Sequence, residues 1–98
     1  MPKFKIIRDK EIFNIPEELI EVCDTRPEII NYGCKELIKN ILLLQESDFR
    51  DLDILADTIE LLYTLGDISF LTTDMIDDMI EHRLETHGEF SKYLKREI

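Results

Sequence analysis

Basic charge is scarce in this chain, and so are cysteine, glycine and proline. Its 98 residues include 12 Lys and Arg against 22 Asp and Glu, two Cys, three Gly and three Pro. The formal net charge of −10 excludes a nucleic-acid binder that relies on net charge. Cys23 and Cys34 lack C-x-x-C spacing, and one pair cannot build the disulfide framework of a small secreted domain. Both are expected to be small buried hydrophobes in a reducing cytoplasm. No apolar run approaches the ~20 residues of a membrane span, and Lys3, Lys5 and Arg8 are not followed by the apolar stretch of a signal peptide. Glycine-rich phosphate loops, repeats and low-complexity linkers are missing as well. His82 and His87 stand five apart with no cysteine at ligand spacing, which argues against zinc. No Ser-His-Asp or Cys-His arrangement can be drawn. The expectation is a soluble, cytoplasmic, single-domain protein spanning 1–98, with neither nucleic acid nor membrane as a direct partner.

What is present is helical. From Asp51 to Gly66, DLDILADTIELLYTLG, apolar residues cover most of a helical circumference, which predicts an element buried on several sides. One stripe breaks the pattern: Asp53, Asp57 and Glu60 follow at i, i+4 and i+7 and stack along one line. Carboxylates are rarely buried unless paired or metal-bound, so the stripe must face solvent, basic partners or a cation.

Around this helix the chain divides readily. Residues 1–13 read as an extended arm or turn, with Phe4, Ile6 and Ile7 among basic residues. Pro16 fits the first turn of a helix ending near Asp24, with Leu19, Ile20, Val22 and Cys23 as its buried side. Thr25-Arg26-Pro27-Glu28 reads as a capping box for a helix running to about Glu46, whose apolar face includes Leu37, Ile38, Ile41, Leu42 and Leu44. Gly33 within it predicts a bend or close packing. Ser47 and Asp48 offer the break and the next cap, and Gly66 is expected to be a left-handed terminator. Thr73 then caps a last helix closed by Gly88, with Met75, Ile76, Met79, Ile80 and Leu84 as its core face. Residues 89–98 form a short docked tail. The sum is an all-α bundle of about four helices, its core completed by a second copy of the chain.

Three segments carry a family resemblance. Lys5-Ile6-Ile7-Arg8-Asp9-Lys10 resembles the K-L-V-R-D-K opening of the MazG-like, phosphoribosyl-ATP pyrophosphohydrolase-like family. Leu55-Ala56-Asp57-Thr58-Ile59-Glu60 is similar to its L-A-D-V-x-E helix, and His87-Gly88-Glu89-Phe90-Ser91-Lys92 to its R-G-G-F-x-K ending. The order and spacing agree over nearly the whole chain. The resemblance implies a dimeric helical bundle that cleaves nucleotides between the α- and β-phosphates with Mg²⁺. Its carboxylate motif, E-E-x-x-E on one helix and E-x-x-D on the next, suits Mg²⁺, which takes hard oxygen ligands in octahedral geometry.

The centre departs from that motif. Lys35-Glu36-Leu37-Ile38-Lys39 stands against E-E-x-x-E and Ile54-Leu55-Ala56-Asp57 against E-x-x-D, so only Glu36 and Asp57 remain acidic. Lysine at a ligand position repels the cation. Lys35 and Lys39 are instead expected to reach across to Asp53, Asp57 or Glu60, turning a metal site into an ion-pair seam. No cofactor is expected. Should activity survive, Glu36, Asp57, Asp53 and Glu60 would hold Mg²⁺, and Arg8, Lys10, Lys35, Lys39, Arg83 and Lys92 would meet phosphates.

The expected function is binding, by a homodimer, of a protein with a basic face. Asp74, Asp77, Asp78 and Glu81 form the candidate contact, and a nucleic-acid enzyme whose groove is blocked is one kind of target. A divergent Mg²⁺-dependent nucleoside triphosphate pyrophosphohydrolase is the alternative, with a nucleotide sensor between the two.

Overall fold

In the computed structural model, which describes residues 4–98, the chain is all-helical; Met1 to Lys3, the start of the expected arm, lie outside the described residues. Two short 3-10 turns, Asp9–Asn14 and Glu17–Leu19, precede three α-helices: α1 at Arg26–Glu46, α2 at Leu52–Asp67 and α3 at Thr73–His87. No strand forms among the described residues, and no helix there is long and apolar enough to cross a membrane.

Capping side chains decide where each helix starts. Thr25 Oγ1 accepts the Glu28 N–H at 3.3 Å, Pro27 occupies the first turn, and the Glu28 carboxylate accepts the Asp24 N–H at 3.0 Å. This is the expected capping box, with its return bond one residue early. Asp51 caps α2 by accepting the Ile54 N–H at 3.1 Å, a role the sequence had offered to Asp48. Thr72 caps α3, one residue before the expected Thr73. Gly88 closes α3 as expected, with φ at 74°.

Two boundaries differ from expectation. The helix expected from Pro16 to Asp24 is a single 3-10 turn followed by extended chain from Ile20. Nine residues are too few to pay for helix nucleation unless packing holds them, and Leu19 and Val22 stay exposed. Gly66 lies inside α2, and the left-handed residue is Phe70, with φ at 65° and the Leu71 N–H donating back to the Gly66 carbonyl at 2.9 Å. Gly66 serves proximity: a Cβ there would stand 2.8 Å from Ile76 Cδ1 and 3.2 Å from the Leu71 carbonyl oxygen. Gly33 does the same for α1 on α2, since a Cβ would meet Leu65 Cδ2 at 2.6 Å.

α2 packs against both of its neighbours, α1 and α3. The line of contact on α1 is Gly33, Asn40 and Leu44, at i, i+7 and i+11, and Leu44 at 1% exposure is the fully buried apolar side chain among the described residues. Ile38, Ile41 and Leu42, expected in the core, are at least half exposed. Leu52, Ile59 and Leu62 are open on α2, so that helix is not buried on several sides within one chain. On α3 only Ile76 is drawn inward; Met75, Met79, Ile80 and Leu84 face outward. The tail does not dock, and Phe90, Tyr93, Leu94 and Ile98 lie in solvent. Cys34 is exposed and Cys23 half-buried, so neither is the buried hydrophobe expected. The chain exposes 9185 Å², whereas a compact protein of this mass exposes about 5,800 Å². Its radius of gyration of 16.7 Å likewise exceeds the roughly 12.6 Å of a compact domain.

Candidate functional site

The acidic stripe of α2 lies where the N-terminal arm crosses the α1–α2 pair. There a cleft of about 650 Å³ is lined by Arg8, Lys10, Glu36, Asn40, Asp57 and Glu60, among others. Three of the four candidate metal ligands and two of the six candidate phosphate contacts therefore share one cleft. The geometry is set by α1 and α2 running side by side with Gly33 at the close approach, which leaves Glu36 and Asn40 on one wall and Asp57 and Glu60 on the other.

Asp53 stands one turn before Asp57, exposed, and does not line the cleft. Lys35, Lys39, Arg83 and Lys92 are also outside its walls. Arg83 is carried by α3 and Lys92 by the exposed tail.

The ion pairs are not the ones expected. Lys39 Nζ meets Glu36 Oε1 at 2.9 Å on its own helix, and Lys35 Nζ lies 5.4 Å from the centre of the Tyr32 ring. Both lysines thus find local partners three residues earlier on α1, and such a contact orders less chain than reaching the next helix. The residue that does reach α2 is Arg8. Its Nη1 donates to Glu60, at 2.9 Å to Oε1 and 3.2 Å to Oε2, and its Nη2 pairs with Asp57 Oδ1. Hydrogen bonds to Glu60 and then to Asp57, reinforced by their charges, hold the guanidinium pKa above its ordinary value. The Phe4 ring meets Tyr32 edge-on, with centroids 6.1 Å apart, and tethers the arm to α1.

This arrangement does not fit Mg²⁺. Glu36 is engaged by Lys39, and Asp57 and Glu60 share one guanidinium, so each carboxylate already has a cation. Among the described residues no three His, Cys, Asp or Glu side chains are grouped as an ion would require. What the site can do is hold a flat, bidentate cation between two carboxylates.

Asn40 is the site residue that sequence reasoning missed. It is only 7% exposed. Its spacing from Gly33 and Leu44 was the available signal, since all three fall on one line of the helix.

The proposed acidic contact face is on α3. Asp74, Asp77, Asp78 and Glu81 are all exposed, but Asp77 accepts a 2.7 Å hydrogen bond from the Tyr63 hydroxyl. That bond, then burial and the Asp77 charge, raises the Tyr63 pKa. Asp77 thus fastens α3 to α2, while Asp74, Asp78 and Glu81 are exposed. A second, open groove of about 770 Å³ runs beside it between α2 and the start of α3, past Ile59, Tyr63, Asp67 and Thr73.

The chain matches no protein-family model, no curated protein and no solved structure.

Proposed function

We propose that the chain is a non-enzymatic binding protein on a MazG-like helical scaffold, working as a homodimer that engages a protein with a basic face. The observation that carries the reading is the apolar surface left open on every helix, above all the stripe of Ile38, Ile41 and Leu42 on α1. That stripe follows helical spacing, as a face built for covering does, and its residues adjoin one another instead of being scattered singly. The loss of hydrolysis is supported by the ion pairs: Arg8 and Lys39 take up the carboxylates that Mg²⁺ would need.

In this reading the α1 stripe joins the two copies, and Asp74, Asp78 and Glu81 on α3 meet the partner, whose basic groove would otherwise hold nucleic acid. The free thiols of Cys23 and Cys34 suit a reducing cytoplasm.

The test combines two measurements. Capture from a native extract should retain a basic protein whose release at higher salt is reproduced by Asp74→Asn with Asp78→Asn and Glu81→Gln. Thermal melting with Mg²⁺ and a panel of nucleoside triphosphates should leave the midpoint in place. A triphosphate-dependent rise of several degrees that disappears with Asp57→Ala would overturn the reading in favour of a pyrophosphohydrolase.

A further inference from the structure

We infer that the α1–α2 cleft is a receptor for an arginine side chain presented by the partner protein, and that Arg8 is the chain's own stand-in for it. The inference rests on the protein-binding reading above, because the incoming arginine belongs to the partner.

Three observations carry it. The cleft shows what it recognises, since Asp57 and Glu60 grip one guanidinium through both terminal nitrogens. Two carboxylates facing a planar fork select arginine over the point charge of lysine. Asn40 is the second. It lines the cleft at 7% exposure, yet takes part in none of the side-chain hydrogen bonds among the described residues. No buried side-chain nitrogen or oxygen there is sealed off without a partner, so the Asn40 amide keeps its opening through the cleft. The amide of this largely buried residue, open to the cleft and unused by Arg8, is available to a group that enters there.

The third is how loosely the stand-in is held. Arg8, Asp57 and Glu60 are each half exposed or more, so their pairing contributes little against solvent. No residue from 4 to 24 is buried, and the segment contains no α-helix. An arriving arginine exchanges one guanidinium for another, which leaves the charge balance unchanged. It adds the hydrogen bond to Asn40 and the contacts of the segment that carries it. Lys5 to Glu11 form one side of the cleft, so the segment that carries the arginine would take the place of the arm.

The test is fluorescence anisotropy with a labelled Ala-Arg-Ala amide, and Ala-Lys-Ala amide as control, on the full chain. Arg8→Gln should bind the arginine peptide about two- to fivefold more tightly than the wild type, and the lysine peptide several-fold more weakly than the arginine one. Adding Asn40→Leu should cost about tenfold, and adding Asp57→Asn should abolish binding. Circular dichroism reports whether each variant keeps its helices. Independently of any variant, titrating the arginine peptide into the wild-type protein should move the Arg8 side-chain NMR resonance from its paired position to that of a free arginine. Equal affinity for the two peptides, indifference to Asn40 and Asp57, or an Arg8 resonance that never moves would overturn the inference. If these results were accompanied by retention of a basic protein through Asp74, Asp78 and Glu81, the binding reading would stand and only the arginine receptor would fall.

Discussion

At the scale of single residues, Tyr63 and Gly66 carry the junction of α2 and α3. The Tyr63 hydroxyl donates to Asp77, and that bond favours the protonated phenol, raising its pKa in the fold. The linkage follows in sign: the contribution is fully present below the unfolded tyrosine value of about 10 and is lost as pH rises through the higher folded value. In a spectrophotometric titration of the folded protein, Tyr63→Phe should therefore remove a component that ionises above the ordinary tyrosine range, and Asp77→Asn should bring that component down. Gly66 contributes by lacking a side chain. In Gly66→Ala the new methyl meets Ile76 Cδ1, which can swing aside, and the Leu71 carbonyl, which is fixed by the turn. Loss of stability by about 1–2 kcal/mol is expected in urea denaturation, because crowding against backbone outweighs the helix propensity gained. Gly66 as a terminator was a reasonable inference from composition. The closeness of Ile76 is a tertiary fact that no local pattern contains.

Among the elements, α2 has its cap at Asp51 and its apolar support on both sides. Asp51→Ala deletes the acceptor for the Ile54 N–H and should lower stability by about 1 kcal/mol, measured as a shift in the urea midpoint with an unchanged slope. An unchanged midpoint would mean that packing alone sets the start of the helix. The three long helices were legible because their apolar periods, the Thr25 cap and Gly88 agree with one another, while the caps of α2 and α3 fell at Asp51 and Thr72. The 16–24 segment was not, because Pro16, Glu17 and Glu18 are good starting residues for a helix that has nothing to pack against. The site was half legible. Spacing alone placed Asp57 and Glu60 on one stripe, and the family resemblance added Glu36. Arg8 binding them across 49 and 52 residues of sequence is a product of where the arm folds. Lysines 35 and 39 went to near neighbours for the same reason that surface helices favour i,i+3 pairs.

For the whole molecule, the balance lies between an acidic chain and an uncovered apolar surface. One fully buried apolar side chain among the described residues is too little core to hold three helices, and the exposed area exceeds the compact value by about 3,300 Å². Obligate dimers bury about 2,000–5,000 Å² in total, or about 1,000–2,500 Å² per chain, so the proposed pairing along Ile38, Ile41 and Leu42 would cover part of this excess. Opposing it is repulsion between two bodies of charge −10 each. That repulsion is screened over a Debye length of about 10 Å at 0.1 M salt, whereas apolar burial is not weakened by salt. Two dependences follow together. In the proposed dimer folding is tied to association, so the melting temperature should rise with protein concentration, and should rise again between about 0.02 and 0.3 M sodium chloride as the repulsion is screened. Light scattering should give twice the chain mass of 11.6 kDa. Ile41→Glu with Leu42→Glu should halve that mass and lower the melting temperature, since it plants charge in the seam and adds to the repulsion. A mass of one chain with a melting temperature indifferent to a hundredfold dilution would leave the stripe without its second copy. The helices would then be held by α1–α2 and α2–α3 packing alone.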